Sequence, residues 1–549
     1  MPHLMLIAAQ YGGYISIPKF IGFLVLFFLW LWLVTWVYRD GEAVGTNAAL
    51  QTAVVFVAGA VGIILWLLIP VFAVGILLFL ACVGATSVAY IRHRNSRVLD
   101  YDRILTVDHI KGLFVSEQKK LEALKELVFI TANNNEVPLP QPKTPDFFGY
   151  RLACEIFTDA IWRRASDIVF APTPQDYKVI YQVDGAAIKQ PARDREQIDY
   201  FIRFLKSLAD LDTNERRKPQ KGSFRTDQAD QRTEWEVTTA GSTAGEQVLI
   251  KQKTRRDITR LTELGLTPDQ YDLLNGLRES KKGLFIVAGP PKSGVTTTFY
   301  AMLRNHDAFI NSINTLEREP STQLPNITQN VFALSDTGTT TFDRKLQAMM
   351  RMGPDIVGVA DCQDPETAQV AANTVKDVKL MYLTIEAENV LKAVSKWIKL
   401  VGDRNLALQN LLGISNQRLL RQLCTECKQA YAPNKALLRK FSIPPERAKV
   451  LYRAGKVIYG KHGKELLCES CQGTGYVGRT GVFEIIALNA ELKKAVAQAK
   501  SFSEINTLFR TAKMRYLQEQ ALRKVVEGTT SINEMLRVFS ESVRTRNGR

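Results

Sequence analysis

Gly289-Pro-Pro-Lys-Ser-Gly-Val-Thr296 decides the reading of this chain. It fits the phosphate-binding pattern G-x-x-x-x-G-K-[ST] at every fixed position but one. Gly289, Gly294 and Thr296 are in place, Thr297 and Thr298 follow, and Val295 stands where the pattern has lysine. The flanks suit such a loop. Gly283-Leu-Phe-Ile-Val-Ala288 is an unbroken apolar run that predicts a buried strand, and Thr297–Arg304 predicts a helix leaving the loop. A glycine-rich turn ahead of a helix N-terminus offers backbone N–H groups to phosphate whatever its side chains are. The loop residues expected to meet a nucleotide are therefore Gly289, Lys292, Ser293, Gly294, Thr296 and Thr297. The cation that normally reaches the terminal phosphates is either missing or supplied by Lys292, whose plainer reading is a solvated loop lysine.

Working outward, the 549 residues divide into several regions. Phe20–Tyr38 is uncharged, bracketed by Lys19 and Arg39, and long enough to span a bilayer. A second charge-free stretch from Ala43 to Ile91 is too long for one crossing, and Pro70 divides it. Residues 1–94 are thus expected to form a transmembrane region with spans near 20–38, 50–69 and 71–90. For the second stretch, one span plus a re-entrant or interfacial segment is the alternative. The cluster Arg92-His-Arg94 with Arg97 places the following chain in the cytoplasm by the positive-inside rule. Residues 95–145 read as a cytoplasmic helical linker, with an amphipathic helix including Lys119–Phe129. Residues 146–254 read as a small α/β domain, 255–415 as an α/β nucleotide-binding core, 416–490 as a cysteine-bearing module, and 491–549 as helices with a basic tail.

The net charge of +16 raises nucleic acid as a partner. No helix-turn-helix, RNA-binding signature or aromatic–basic interleaving accompanies it, so no nucleic acid is expected, and an anionic membrane surface accounts for the charge as well. Of seven cysteines, four form two C-x-x-C pairs, Cys424-Thr-Glu-Cys427 and Cys468-Glu-Ser-Cys471. Two such knuckles have the ligand spacing of a closed tetrahedral site, and thiolate softness selects zinc over magnesium or calcium. A redox C-x-x-C is the alternative, but no thioredoxin-like βαβ pattern surrounds either pair. Structural Zn2+ is expected on all four.

Taken together, the soluble part from about Asp146 onward resembles the type II secretion and type IV pilus assembly ATPases of the secretion ATPase superfamily. The residues carrying the resemblance include Arg164-Ala-Ser-Asp-Ile168, Tyr181-Gln-Val-Asp-Gly185, Glu215–Gly222 and Gly245-Glu-Gln-Val-Leu249. In the core they are Arg351–Val359 with Asp364-Pro-Glu-Thr-Ala368, then Gln417-Arg-Leu419, Gly473-Thr-Gly475 and Gly478-Arg-Thr-Gly481.

The resemblance implies a RecA-like P-loop core behind a PAS-like α/β domain, ATP with Mg2+ as ligand, a tetracysteine zinc module, and a hexameric ring on the inner-membrane platform of a secretion or pilus machine. Its Walker B carboxylate falls on Asp361 and its acidic box on Glu317-Arg318-Glu319, so Asp361 and Glu317 are the catalytic candidates, and Thr296 keeps the Mg2+-ligating hydroxyl. Three cations of the family pattern are absent. Its P-loop lysine falls on Val295, its His-box histidine on Glu386, and an arginine of its first domain on Glu236. These losses lower the positive potential where phosphoryl transfer needs it. The expectation is a nucleotide-binding motor subunit with impaired ATP hydrolysis, or alternatively an inactive scaffold that co-assembles with an active ATPase. The family's motors are generally peripheral, so three spans are a departure.

Overall fold

The computed structural model describes residues 17–43, 47–69, 71–95, 104–105 and 126–544, apart from 142–143, 229–230, 254–259, 281, 334–337, 339, 447, 456–457 and 460–464. Arg97, Pro70, the basic tail 545–549 and most of the expected linker helix lie outside that set.

Helices Ile17–Ala43, Ala48–Leu68 and Phe72–Asn95 cover the three apolar stretches, and each is long and apolar enough to cross a membrane. They pack where a large ring meets a missing side chain. A Cβ on Gly59 would fall 2.0 Å from Trp30, and one on Gly75 would fall 2.1 Å from Trp66. At one end the first and third helices are joined by a buried polar contact. Tyr90 and Arg94 both donate to Asp40 Oδ2, each at 2.7 Å.

The next unit is an antiparallel sheet with strand order 127–130, 220–228, 231–242, 245–253, 165–172, 176–183, 186–189, and a short strand 193–194 beside 176–183. Its ladder follows from alternation: Phe224, Trp235, Val237, Val248, Ile250, Ile168 and Phe170 all turn inward. Helices Pro145–Trp162 and Arg195–Leu208 cover that face, so close together that a Cβ on Gly149 would lie 2.6 Å from the Tyr200 carbonyl. Here the structure corrects one expectation. Leu127–Ile130, which includes the end of the expected linker helix, is a strand paired antiparallel with Arg225–Gln228. Its apolar run fits either period, and a partner strand about a hundred residues away decides between them.

The core is a seven-stranded sheet ordered 328–331, 313–317, 356–359, 380–386, 284–289, 411–423, 476–487. All pairs are parallel except the last. Strand Leu284–Gly289 lies centrally and is buried at every residue, as a strand covered on both faces must be. Alternate residues divide between two packed layers. Phe285, Val287, Tyr382 and Ile313 face helix Val295–Arg304, while Ile286, Ala288, Leu383 and Val357 face helices Phe342–Met350, Pro365–Thr374 and Val390–Val401. Helices Leu517–Val526 and Ile532–Arg544 close the far edge, with buried Glu534 paired to Arg421 at 2.7 Å and Arg537 at 2.6 Å.

Candidate nucleotide-binding site and metal centre

The central strand ends at Gly289, the chain turns through Pro290–Gly294, and helix Val295–Arg304 begins. Two residues of the turn, Lys292 (φ 64°) and Gly294 (φ 87°), adopt the left-handed conformation that curls the backbone round. Gly294 caps the helix with no side-chain hydrogen bond, so the first-turn N–H groups stay open to an anion. Thr296 is exposed at that turn, Thr297 is half-buried, and Thr298 is buried beneath it.

The loop is seated from below by strand Leu411–Leu423. Gln417 donates from Nε2 to the Ser293 carbonyl at 3.0 Å. Its neighbours carry the anchoring further. Asn416 donates to the Ala387 carbonyl at 2.9 Å, and buried Arg418 donates to the Glu388 carbonyl at 2.6 Å and to Asn416 Oδ1 at 3.1 Å. Burial holds the Arg418 pKa below its ordinary value. Gln417 stood out in the sequence only as part of a motif, and its partner 124 residues away gave no local signal.

Val295 is half-buried and packs on the apolar layer beneath its own helix rather than reaching forward. Lys292 is exposed at the loop apex. The structure brings the acidic candidates together at the carboxyl ends of three neighbouring strands. Both Glu317 oxygens are engaged: Tyr300 donates at 2.5 Å to one, and Thr315 at 2.7 Å and Gln329 at 3.0 Å to the other. Burial and this contact push the Tyr300 hydroxyl up to about 12. Glu317 thus holds Tyr300 and the loop helix in place.

Asp361 is exposed at its strand end, in a left-handed conformation (φ 56°), with its N–H donated to Thr384 Oγ1 at 2.7 Å. Partial desolvation raises its pKa, Arg318 opposes the rise, and the Glu317 and Glu386 carboxylates add to it. Arg318 itself is stacked on Phe332 and Phe342. Glu386 sits beside Gly289 in the strand register, where Ala387 N–H donates to the Gly289 carbonyl at 3.2 Å. Glu236, in the first domain, is paired with Lys221 at 3.1 Å, and Lys221 also reaches Glu319 of the core at 3.8 Å.

The second centre lies where strands Leu411–Leu423 and Tyr476–Ala487 leave the sheet. The sulfurs of Cys424, Cys427, Cys468 and Cys471 all lie within 4.8 Å of one another. Cys424 and Cys468 sulfurs are 3.9 Å apart, and those of Cys427 and Cys471 are 3.6 Å apart. A regular ZnS4 tetrahedron with Zn–S bonds of about 2.3 Å has edges of about 3.8 Å, so the four thiols fit zinc. The backbone supports them: Gly475 N–H donates to Cys471 Sγ at 3.3 Å, and a Cβ on Gly455 would fall 2.9 Å from Cys427 Sγ. Burial pushes the Cys424 thiol up, but hydrogen bonds led by the Cys427 backbone outweigh it and bring it to about 7. The remaining buried thiols, Cys154 and Cys362, are pushed up to about 12 by burial and are inert packing groups.

With strand, loop, helix and carboxylates arranged in this way, comparison with known proteins is decisive. Residues 147–537 match the family model described as Type II/IV secretion system protein. The chain belongs to that family. It is 30% identical over 394 residues to the type II secretion system protein HxcR of Pseudomonas aeruginosa, covering 71% of this chain and 77% of that one. It is 26% identical over 402 residues to the type IV pilus assembly ATPase PilB of Thermus thermophilus, covering 73% of this chain. The match spans only 44% of that relative's length. Among solved structures the ATPase DotB of Yersinia pseudotuberculosis aligns with a TM-score of 0.50 at 13% identity, covering 74% of this chain and 97% of that one. This is a likeness of fold.

Proposed function

We propose that this secretion-family protein is a membrane-anchored nucleotide-binding subunit of a type II secretion or type IV pilus machine, with impaired ATP hydrolysis. The observation that carries the reading is a phosphate loop kept in backbone and stripped of its cation. Gly289, Gly294 and the open helix N-terminus remain, while Val295 packs downward where lysine would reach the phosphates. The loop backbone with Ser293, Thr296 and Thr297 would bind the phosphates. Thr296 and Asp361 would hold Mg2+, which when bound neutralises charge on the transferred group.

Glu317, with both oxygens occupied, positions the loop helix through Tyr300. The three apolar helices would anchor the chain in the inner membrane with the ATPase-like domains in the cytoplasm, and Arg92 and Arg94 close the third helix on that side. Assembly into a hexameric ring, with itself or an active relative, on the membrane platform follows the family pattern. Tethering raises the effective concentration of subunits and offsets weak ring contacts. The alternative, an inactive scaffold inside a mixed ring, draws support from Glu386 and Glu236 standing where the family has cations.

The test is ATP turnover by the detergent-solubilised full chain with Mg2+, beside Val295→Lys and Lys292→Ala. The expected result is turnover that rises about tenfold or more in Val295→Lys, the scale on which one charge-stabilising group acts. Robust turnover by the native chain that Lys292→Ala abolishes would overturn impaired hydrolysis and assign the missing charge to Lys292.

A further inference from the structure

The loop grips an anion by its backbone, yet its mouth is acidic. Within the loop, Ser293 is 5% exposed and its Oγ has no hydrogen-bond partner. That oxygen would lie 2.2 Å from a Cβ on Gly289, so the hydroxyl is turned into the curve of the loop. A buried hydroxyl without a partner, inside a ring of backbone donors, awaits an acceptor such as a phosphate oxygen.

Beyond the loop the charge reverses. On strand Leu380–Glu386, Tyr382 and Thr384 face the layer of the loop helix: Tyr382 packs there, and Thr384 takes the Asp361 N–H. Alternation along the strand puts Glu386 on the same face, one strand over from Gly289. By the same rule Glu317 faces that layer, where it meets Tyr300. Asp361 completes the set; burial chiefly raises its pKa, Arg318 opposes the rise, and the Glu317 and Glu386 carboxylates add to it.

The cations of the neighbourhood are arranged differently. Arg318 stacks on Phe332 and Phe342, and its charge opposes the rise in the Asp361 pKa. Lys396 reaches the Glu386 carbonyl at 3.1 Å, but from the helix on the opposite face of the sheet. Lys392 pairs with Glu388, and Lys221 with Glu236 and Glu319. Lys292 sits at the apex of the loop, exposed.

We infer that this loop holds a nucleoside diphosphate in preference to the triphosphate, because the backbone cradle binds the inner phosphates while Glu386, one strand over from Gly289, faces the position a third would occupy. This inference rests on the nucleotide-binding reading above and adds the ligand's class. The subunit would then be a diphosphate-sensing member of its ring, occupied after a neighbour has released product rather than before it fires.

The experiment is a titration of the full chain in detergent with fluorescently labelled ADP and ATP, with and without Mg2+, using native protein, Glu386→Gln and Asp361→Asn. Asparagine tolerates the left-handed backbone at 361, and Glu386 is exposed, so both variants keep the fold. The expected result is ADP binding about tenfold tighter than ATP, the size of one unit-charge repulsion near a protein surface. The ratio should shrink in Glu386→Gln because ATP binding improves, whereas Asp361→Asn, which removes a proposed Mg2+ ligand, should weaken ATP binding only when Mg2+ is present. Equal affinities, a triphosphate preference with Mg2+ present, or an unchanged ratio in Glu386→Gln would overturn the inference and leave nucleotide binding standing. Failure of both nucleotides to bind would overturn this inference and the nucleotide-binding reading together.

Discussion

The phosphate loop rests on Gln417 in the middle of strand Leu411–Leu423 and the tetracysteine cluster begins just beyond its end, and the two differ in what each has kept. The cluster has its complete donor set at zinc spacing, with Gly475 and Gly455 shaped around the sulfurs. The loop has its shape, and Val295 stands where the phosphate-binding pattern has lysine. Backbone architecture and side-chain chemistry are therefore separable. Gln417 seats the loop and Gly294 curls it, and neither depends on the residue at 295. A metal site has no such independence, since four thiolates are both its structure and its chemistry.

The largest expected effect tests that contrast directly. Structural zinc contributes on the order of 10 kcal/mol of apparent binding free energy to small metal-folded units. Purified chain should carry one zinc, measured by atomic absorption, and Cys471→Ser or prolonged chelation should remove it. Hydrogen exchange should then rise across the 424–475 module while the 284–304 segment stays protected and nucleotide affinity holds. If zinc loss also abolishes nucleotide binding, the two centres are coupled through the strand they share, and the separation drawn above fails.

Acid should distinguish the two regions at an intermediate scale. His306, buried in the core layer under the loop helix and bonded to Tyr382 at 2.8 Å, is held down to about 4, chiefly by burial and further by Arg278. Its folded pKa lies below the unfolded value, so the unfolded chain binds the proton first. Its contribution is full above about pH 6.5 and is lost as pH falls towards 4, amounting to about 3 kcal/mol. At the far edge, burial alone would raise Glu534, but Arg537 and Arg421 outweigh it and bring it to about 2. Its contribution, again about 3 kcal/mol, is present above the ordinary carboxylate range and lost between about pH 4.5 and 2. Hydrogen exchange against pH should show the nucleotide core loosening first. His306→Gln should flatten the upper phase and Glu534→Gln the lower one. Simultaneous loss of both regions would mean that the core and C-terminal helices unfold as one unit.

Where the signal was local, the sequence was readable. The loop pattern, the strand and helix around it, the three apolar stretches and the cysteine pairs are each set by neighbouring residues, and the structure has strand Leu284–Gly289, helix Val295–Arg304, three long apolar helices and the four clustered sulfurs. What escaped depends on distant partners. Leu127–Ile130 looked helical until strand Gln220–Gln228 lay beside it. Glu317 was legible as a carboxylate at the right place, but its three donors come from residues 300, 315 and 329, and only their convergence shows that the group is saturated. The Asn416–Arg418 supports and the Glu534–Arg421 pair are polar contacts across elements, for which no periodicity exists. Val295 was legible as a loss. That it packs into the layer below, rather than leaving a gap, needed the fold.

The smallest effect is the sharpest test of whether shape alone sustains the loop. Gly294→Ala puts a side chain into the left-handed region at φ 87°, and its Cβ would stand 3.2 Å from Gln417 Nε2 and 3.3 Å from Leu419. The backbone term alone costs about 1–2 kcal/mol. Gly353→Ala, at φ 67° with no atom within 4 Å of the new Cβ, pays a similar backbone term and none of the contact. Both variants should therefore lower the unfolding midpoint in denaturant by similar amounts, Gly294→Ala slightly more. Only Gly294→Ala should weaken nucleotide binding, because only there does the strained residue set the direction of the N–H groups. Equal, unchanged affinities would show that the loop's curvature is not what holds phosphate. The distinction between a kept architecture and a lost charge would then have to be redrawn around Lys292.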